Sequence, residues 1–92
     1  MTPTIDISEI DSFPVAKFLV VVDDSVRTEH VVTLKEDDFE RLRGNRSEPT
    51  ELVNDAFLFL LEREPNTSIL SSFDLTLINT YFPEFESVIT SK

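Results

Sequence analysis

Two apolar runs rich in β-branched residues stand close together in the first third of the chain, Val15–Val22 (VAKFLVVV) and Thr28–Leu34 (TEHVVTL), parted by a segment that opens on Asp23-Asp24-Ser25. Branched side chains are stiff at χ1 and suit a pleated surface, and Asp and Ser favour turns. The pair therefore predicts an antiparallel β-hairpin. Strand alternation puts Phe18, Val20 and Val22 on one face and Leu19 and Val21 on the other. Apolar residues on both faces predict a strand that is central or covered on both sides. A chain of 92 residues closes one hydrophobic core, so the residues beyond Leu34 have to supply the layer that covers this hairpin.

They read as helices. Thr33 and Glu36 have the spacing of a capping box, which predicts a short helix from about Lys35 with Phe39 and Leu42 as its apolar stripe. Gly44, the single glycine, stands where a left-handed C-terminal cap belongs. Asp37 and Asp38 early in this helix, with Arg41 and Arg43 late, complement its macrodipole. Pro49 and Glu51 then open a long helix, and the run Leu52–Glu64 stops before Pro65. At 100° per residue, Leu52, Val53, Ala56, Phe57, Phe59, Leu60 and Leu61 sweep about 200°, against the ~100° stripe of a surface helix. This helix is predicted to be central. After Pro65, Thr67 or Ser68 caps a short turn, Asp74 caps a helix carrying Leu75, Ile78, Tyr81 and Phe82, and Phe85, Val88 and Ile89 form a last apolar strip.

Residues 1–14 show no helical period and read as a flexible or loosely docked tail, with one extended stretch at Ile5–Ile10 whose isoleucines are able to dock. Residues 15–92 read as a single compact domain. The expected fold is α+β: a β-hairpin followed by a short helix, a long central helix and a C-terminal helix, in the order ββααα.

Chemistry is constrained mainly by what is missing. The absence of Cys removes thiolate metal sites, Cys nucleophiles and disulfides, and it suits a cytoplasmic protein. The N-terminal residues lack the basic-then-apolar pattern of a secretory signal, and the longest apolar run, Ala56–Leu61, falls well short of the ~20 residues of a membrane span. His30 is the lone His. Asp23-Asp24 and the acids from Glu36 to Glu40 lack the Gly turn and closing Glu of a calcium loop, and one Gly cannot build a phosphate loop. No Ser stands in a nucleophile elbow. The reading is a non-enzymatic chain with no cofactor, metal site or evident small-molecule substrate.

Eighteen Asp and Glu against eight Lys and Arg give a formal net charge of −10, which repels phosphate backbones and argues against nucleic acid and membrane surfaces as partners. Leu58 falls outside the apolar arc of the long helix, among Asn54, Asp55 and Glu62, and marks a candidate surface for self-association or a protein partner. Arg41, Arg43 and Arg46 cluster around Gly44 as the one local basic patch and a candidate anion contact. The leading expectation is a small acidic protein-interaction or regulatory module, steered by its acids and held by apolar contacts.

One partial resemblance offers an alternative. Residues 30–64 run strand, short helix, turn, long helix, and the phrase Arg46-Ser47-Glu48-Pro49-Thr50-Glu51-Leu52-Val53 followed by Ala56-Phe57 resembles the second-helix entry of ribbon-helix-helix regulators. That resemblance implies a dimeric DNA-binding regulator or antitoxin whose groove-reading side chains would come from Glu29–Leu34, a stretch that holds no Lys or Arg. The C-terminal half, through Phe57–Pro65, Ser68–Leu75 and Tyr81–Phe85, is similar to small uncharacterised prokaryotic proteins, a likeness that implies no activity.

Overall fold

The computed structural model describes residues 3–91. Its β1 (Thr4–Asp11), β2 (Val15–Asp23) and β3 (Arg27–Lys35) form an antiparallel meander, followed by helices α1 (Glu36–Leu42) and α2 (Pro49–Leu61). A 3₁₀ turn at Asn66–Ser68 leads to a short strand β4 (Ser72–Asp74), then a second 3₁₀ turn (Leu75–Leu77) and the short helices α3 (Ile78–Tyr81) and α4 (Phe85–Thr90). The sheet order is β1-β2-β3-β4, with β4 parallel to β3.

The α+β class is as expected, but the ββααα order is overturned, because four strands are present rather than a hairpin alone. The expected hairpin forms over the predicted residues, with Val22 opposite Thr28 and Ala16 opposite Leu34. A further strand lies on each side of that hairpin. Thr4–Asp11, expected within a flexible or loosely docked tail with one extended stretch at Ile5–Ile10, pairs along β2 and sets Ile5 opposite Val22 and Ile7 opposite Val20. The alternation Thr4-Ile5-Asp6-Ile7-Ser8 is the pattern of a half-buried strand, and both isoleucines pack on the core while Ile10 stays exposed. β4 carries one buried residue, Phe73, too little for any periodicity to show.

Val20 and Val22, with Ala16, Phe18, Val32 and Leu34, build one face of the sheet and share one core with Leu52, Val53, Ala56, Phe57, Phe59 and Leu60 of α2; Phe59 meets the rings of Phe82 and Phe85 edge-on. On the other face every described side chain is half-buried or exposed, including Leu19, Val21 and Val31. β2 lies between β1 and β3, and no second layer of described residues buries its other face.

The helix boundaries follow local chemistry, with one exchange. The Thr33–Glu36 box does not form: α1 starts at Glu36 directly after β3, its first amide donates to the Pro14 carbonyl at 2.9 Å, and no side chain caps it. Thr33 is held in β3 by its pairing with Lys17 and Asp74, so it cannot turn back as a cap. A capping box forms instead at α2, where Glu48 and Glu51 satisfy each other's backbone amides and Pro49 occupies the first turn. Gly44 takes φ 58° after α1, as a left-handed cap requires. Asp74 accepts from the Thr76 amide at 3.0 Å, but the predicted helix beyond it breaks into a 3₁₀ turn and α3, and the last apolar strip becomes α4. No helix among the described residues is long and apolar enough to cross a membrane.

Candidate functional site

The segment from Ile69 to Phe82 folds back beside the C-terminal end of α2 and leaves an apolar cleft of about 160 Å³ between them. Its walls are Leu60 from α2, Ile69 and Leu70 from the connection, Phe73 from β4, and Leu77, Ile78, Tyr81 and Phe82 from the region of α3. Two polar residues, Glu64 and Ser68, complete the lining. At the rim, Leu70 is 45% exposed and Tyr81 62%.

The wall supplied by the predicted helix over Leu75–Phe82 begins as a 3₁₀ turn and continues directly as α3, which ends at Tyr81. A continuous helix would turn Leu75, Ile78 and Phe82 to the same side, with Tyr81 beside them. The observed segment buries Leu75 and Ile78 but leaves Tyr81 standing in solvent. Size limits what fits. A cavity of about 150 Å³ accommodates a benzene ring, whereas sites for drug-sized molecules and cofactors run from about 300 Å³ upward. The cleft matches one large apolar side chain.

One wall of this cleft is fixed from inside the core by His30, which is 2% exposed. Its Nδ1 lies 2.7 Å from the Leu70 carbonyl and its Nε2 2.9 Å from Thr28 Oγ1. A carbonyl only accepts, so Nδ1 carries a proton; in the neutral ring Nε2 then accepts from the Thr28 hydroxyl. Thr28 Oγ1 in turn accepts from Asn66 Nδ2 at 2.9 Å, and Asn66 also donates to the Val26 carbonyl at 2.7 Å. The imidazole rests against Phe57, with ring centroids 5.4 Å apart. This chain of contacts ties the β2–β3 turn to the connection after α2, so both ring nitrogens of the sole His are engaged in holding the fold. Val31 adds a backbone bond to the Ser71 carbonyl at 2.8 Å.

The three arginines named as an anion contact each meet a carboxylate. Arg41 bonds Asp38 at 3.2 Å and Glu86 at 2.5 Å, and Arg43 lies 3.8 Å from Glu40. Arg46 is 7% exposed. Its Nε donates to Asp55 at 2.7 Å, Nη1 to the Arg43 carbonyl at 3.0 Å, and Nη2 to the Ile89 carbonyl at 3.2 Å. It therefore clamps the end of α1 to α2 and α4, while Arg41, exposed, and Arg43, half-buried, stay beside their carboxylates. Glu86 also accepts from Asn79. The Arg41 guanidinium, hydrogen-bonded to Glu86, holds that carboxyl below the usual carboxylate range, and the same bond to Glu86 raises the pKa of Arg41.

On the outer side of α2, Leu58 is 42% exposed, Asn54 is half-buried and Glu62 exposed. Asp55 belongs to the Arg46 clamp, and Glu62 lies 3.3 Å from Arg63, whose guanidinium sits 3.5 Å over the Phe59 ring. None of these four expected partner residues lines the cleft. The cleft residues were not singled out from the sequence; the signal was Leu70 and Tyr81, large apolar groups next to short turn-forming stretches. Among the described residues no three His, Asp or Glu side chains converge as metal ligands would. No family model, curated protein or solved structure matches this chain.

Proposed function

We propose that this chain is a non-catalytic protein-interaction module whose cleft takes one apolar side chain of a partner segment. The observation that carries the reading is the cleft itself: a side-chain-sized apolar recess with exposed Leu70 and Tyr81 at its rim and one carboxylate, Glu64, in its lining. Aromatic and apolar anchors in pockets supply most of the affinity at protein interfaces. The surplus of acids, eighteen against eight cations, raises encounter rates with basic segments, and Glu64 supplies a partner for a Lys or Arg beside the inserted residue.

Titration with acetyl-Gly-Lys-Phe-Lys-Gly-amide, followed by amide NMR, tests this. The expected result is shifts at Leu70, Leu77, Ile78 and Tyr81 with a dissociation constant near 1 mM, about 4 kcal/mol. The same peptide with Ala for Phe is expected to bind at least tenfold more weakly. Equal shifts from both peptides would defeat the reading, because binding would then owe nothing to the recess.

The ribbon-helix-helix alternative calls for a strand that pairs with its twin in a second chain. The residues it would use, Glu29–Leu34, lie in β3, which is bonded to β2 on one side and β4 on the other. No observation here favours it over the interaction module.

A further inference from the structure

β1 bounds the sheet on the side opposite β4, and among the described residues no strand lies beyond it. In an antiparallel pair, alternate residues direct both backbone groups to the same side. About half of the amides and carbonyls of β1 therefore point away from β2, a row that pairs with any compatible extended chain unless something blocks it. The irregularity between Glu9 and Asp11 interrupts only the far end, since Thr4 to Glu9 keep unbroken register with Asp23 to Phe18. That regular stretch is a template roughly 20 Å long at ~3.3 Å per residue.

The side chains select the occupant. Ile5 and Ile7 turn towards the core and are half-buried, while Asp6, Ser8, Glu9 and Asp11 are exposed. β1 holds no cation, and Asp23 stands opposite Thr4 on the neighbouring strand. A second copy of β1 would bring two acidic strands within about 4.8 Å, where like charges oppose pairing. An extended segment with Lys or Arg beside Asp6 and apolar residues beside Ile5 and Ile7 gains the ladder, the charge complement and a continuation of the apolar layer together. We propose that the β1 edge is a strand-addition site for an extended partner segment in which basic and apolar residues alternate. This surface is at the other end of the sheet from the cleft, and neither depends on the other.

The probe is acetyl-Lys-Val-Lys-Val-Lys-Val-amide, added to the whole chain while amide exchange and molar mass are followed. Exchange at alternate β1 amides is expected to slow at least tenfold at saturation, with the protein remaining one chain per complex. Asp6→Lys is expected to weaken binding at least tenfold. Asp37→Lys, an equal charge change at an exposed position of α1, is expected to weaken it less than threefold. Equal losses from the two variants would reduce the effect to net charge and overturn the site, as would unchanged β1 exchange or a doubling of mass through β1. Shifts confined to Leu70 and Tyr81 would overturn the edge while leaving the cleft reading intact; β1 protection without response to the Phe peptide would do the reverse.

Discussion

Replacing Arg46 tests whether the basic cluster is structural or a contact for ligands. The guanidinium donates to the Asp55 carboxylate at 2.7 Å and to the carbonyls of Arg43 and Ile89 at 3.0 and 3.2 Å. Hydrogen bonds to a charged group contribute about 1.5–3 kcal/mol each, and removing one member of a buried ion pair costs about 3–5 kcal/mol. The Asp55 side chain keeps 27% of its exposure, so water recovers part of the loss, and Arg46→Met is expected to cost about 3 kcal/mol. At ~4–8 °C per kcal/mol for a domain of this size, the midpoint should fall by roughly 12–24 °C. Arg46→Lys should recover little, because one ammonium cannot serve the carboxylate and both carbonyls. Urea unfolding of the two variants and of Asp55→Asn measures this. A loss below about 1 kcal/mol for Arg46→Met would place the residue with ordinary surface pairs and refute the clamp.

Other expectations follow from the same contacts. His30→Ala removes bonds to Leu70 and Thr28 and the Phe57 contact, and calorimetry should show a loss of about 3 kcal/mol. Because Leu70 loses its anchor, the folded fraction should also bind the Phe peptide more weakly. The folded-state pKa of Glu86 is lowered, chiefly by the Arg41 hydrogen bond, so the contribution of this pair is present above the ordinary carboxylate pKa and is lost as pH falls through the lower folded value. A double-mutant cycle on Arg41 and Glu86 should give up to about 1 kcal/mol at pH 7, since both groups are partly exposed, and shrink as Glu86 is protonated on acidification. Tyr81→Ala should leave stability within about 0.5 kcal/mol while weakening peptide binding; a large loss of stability would mean Tyr81 belongs to the core.

How much of this was legible from sequence differs by element. The β2–β3 pair and α2 carry enough consecutive apolar residues for their periods to be unmistakable, and the burial of Leu52, Val53, Ala56, Phe57, Phe59 and Leu60 follows the predicted arc. Leu58 is exposed where that arc left it. β1 had a period of two in Ile5 and Ile7, but the acids and prolines around it resembled a tail, and only pairing with Val20 and Val22 makes it a strand. β4 depends on tertiary contact, since three residues with one apolar side chain carry no pattern of their own. The Arg cluster looked like an open patch because the contacts that tie it to α4, Arg41 to Glu86 and Arg46 to the Ile89 carbonyl, join residues far apart in sequence. The cleft was not legible because it lies between α2 and the segment Ile69–Phe82, which come together only on folding.

The most direct test of the interaction reading is a set of intermolecular NOEs between the phenylalanine ring of acetyl-Gly-Lys-Phe-Lys-Gly-amide and the methyl groups of the ¹³C-labelled protein. The cleft predicts contacts from that ring to Leu60, Ile69 and Leu77, whose side chains line the recess. Contacts to Leu19, Val21 and Val31 on the uncovered face of the sheet, or none to the cleft at saturating peptide, would contradict it.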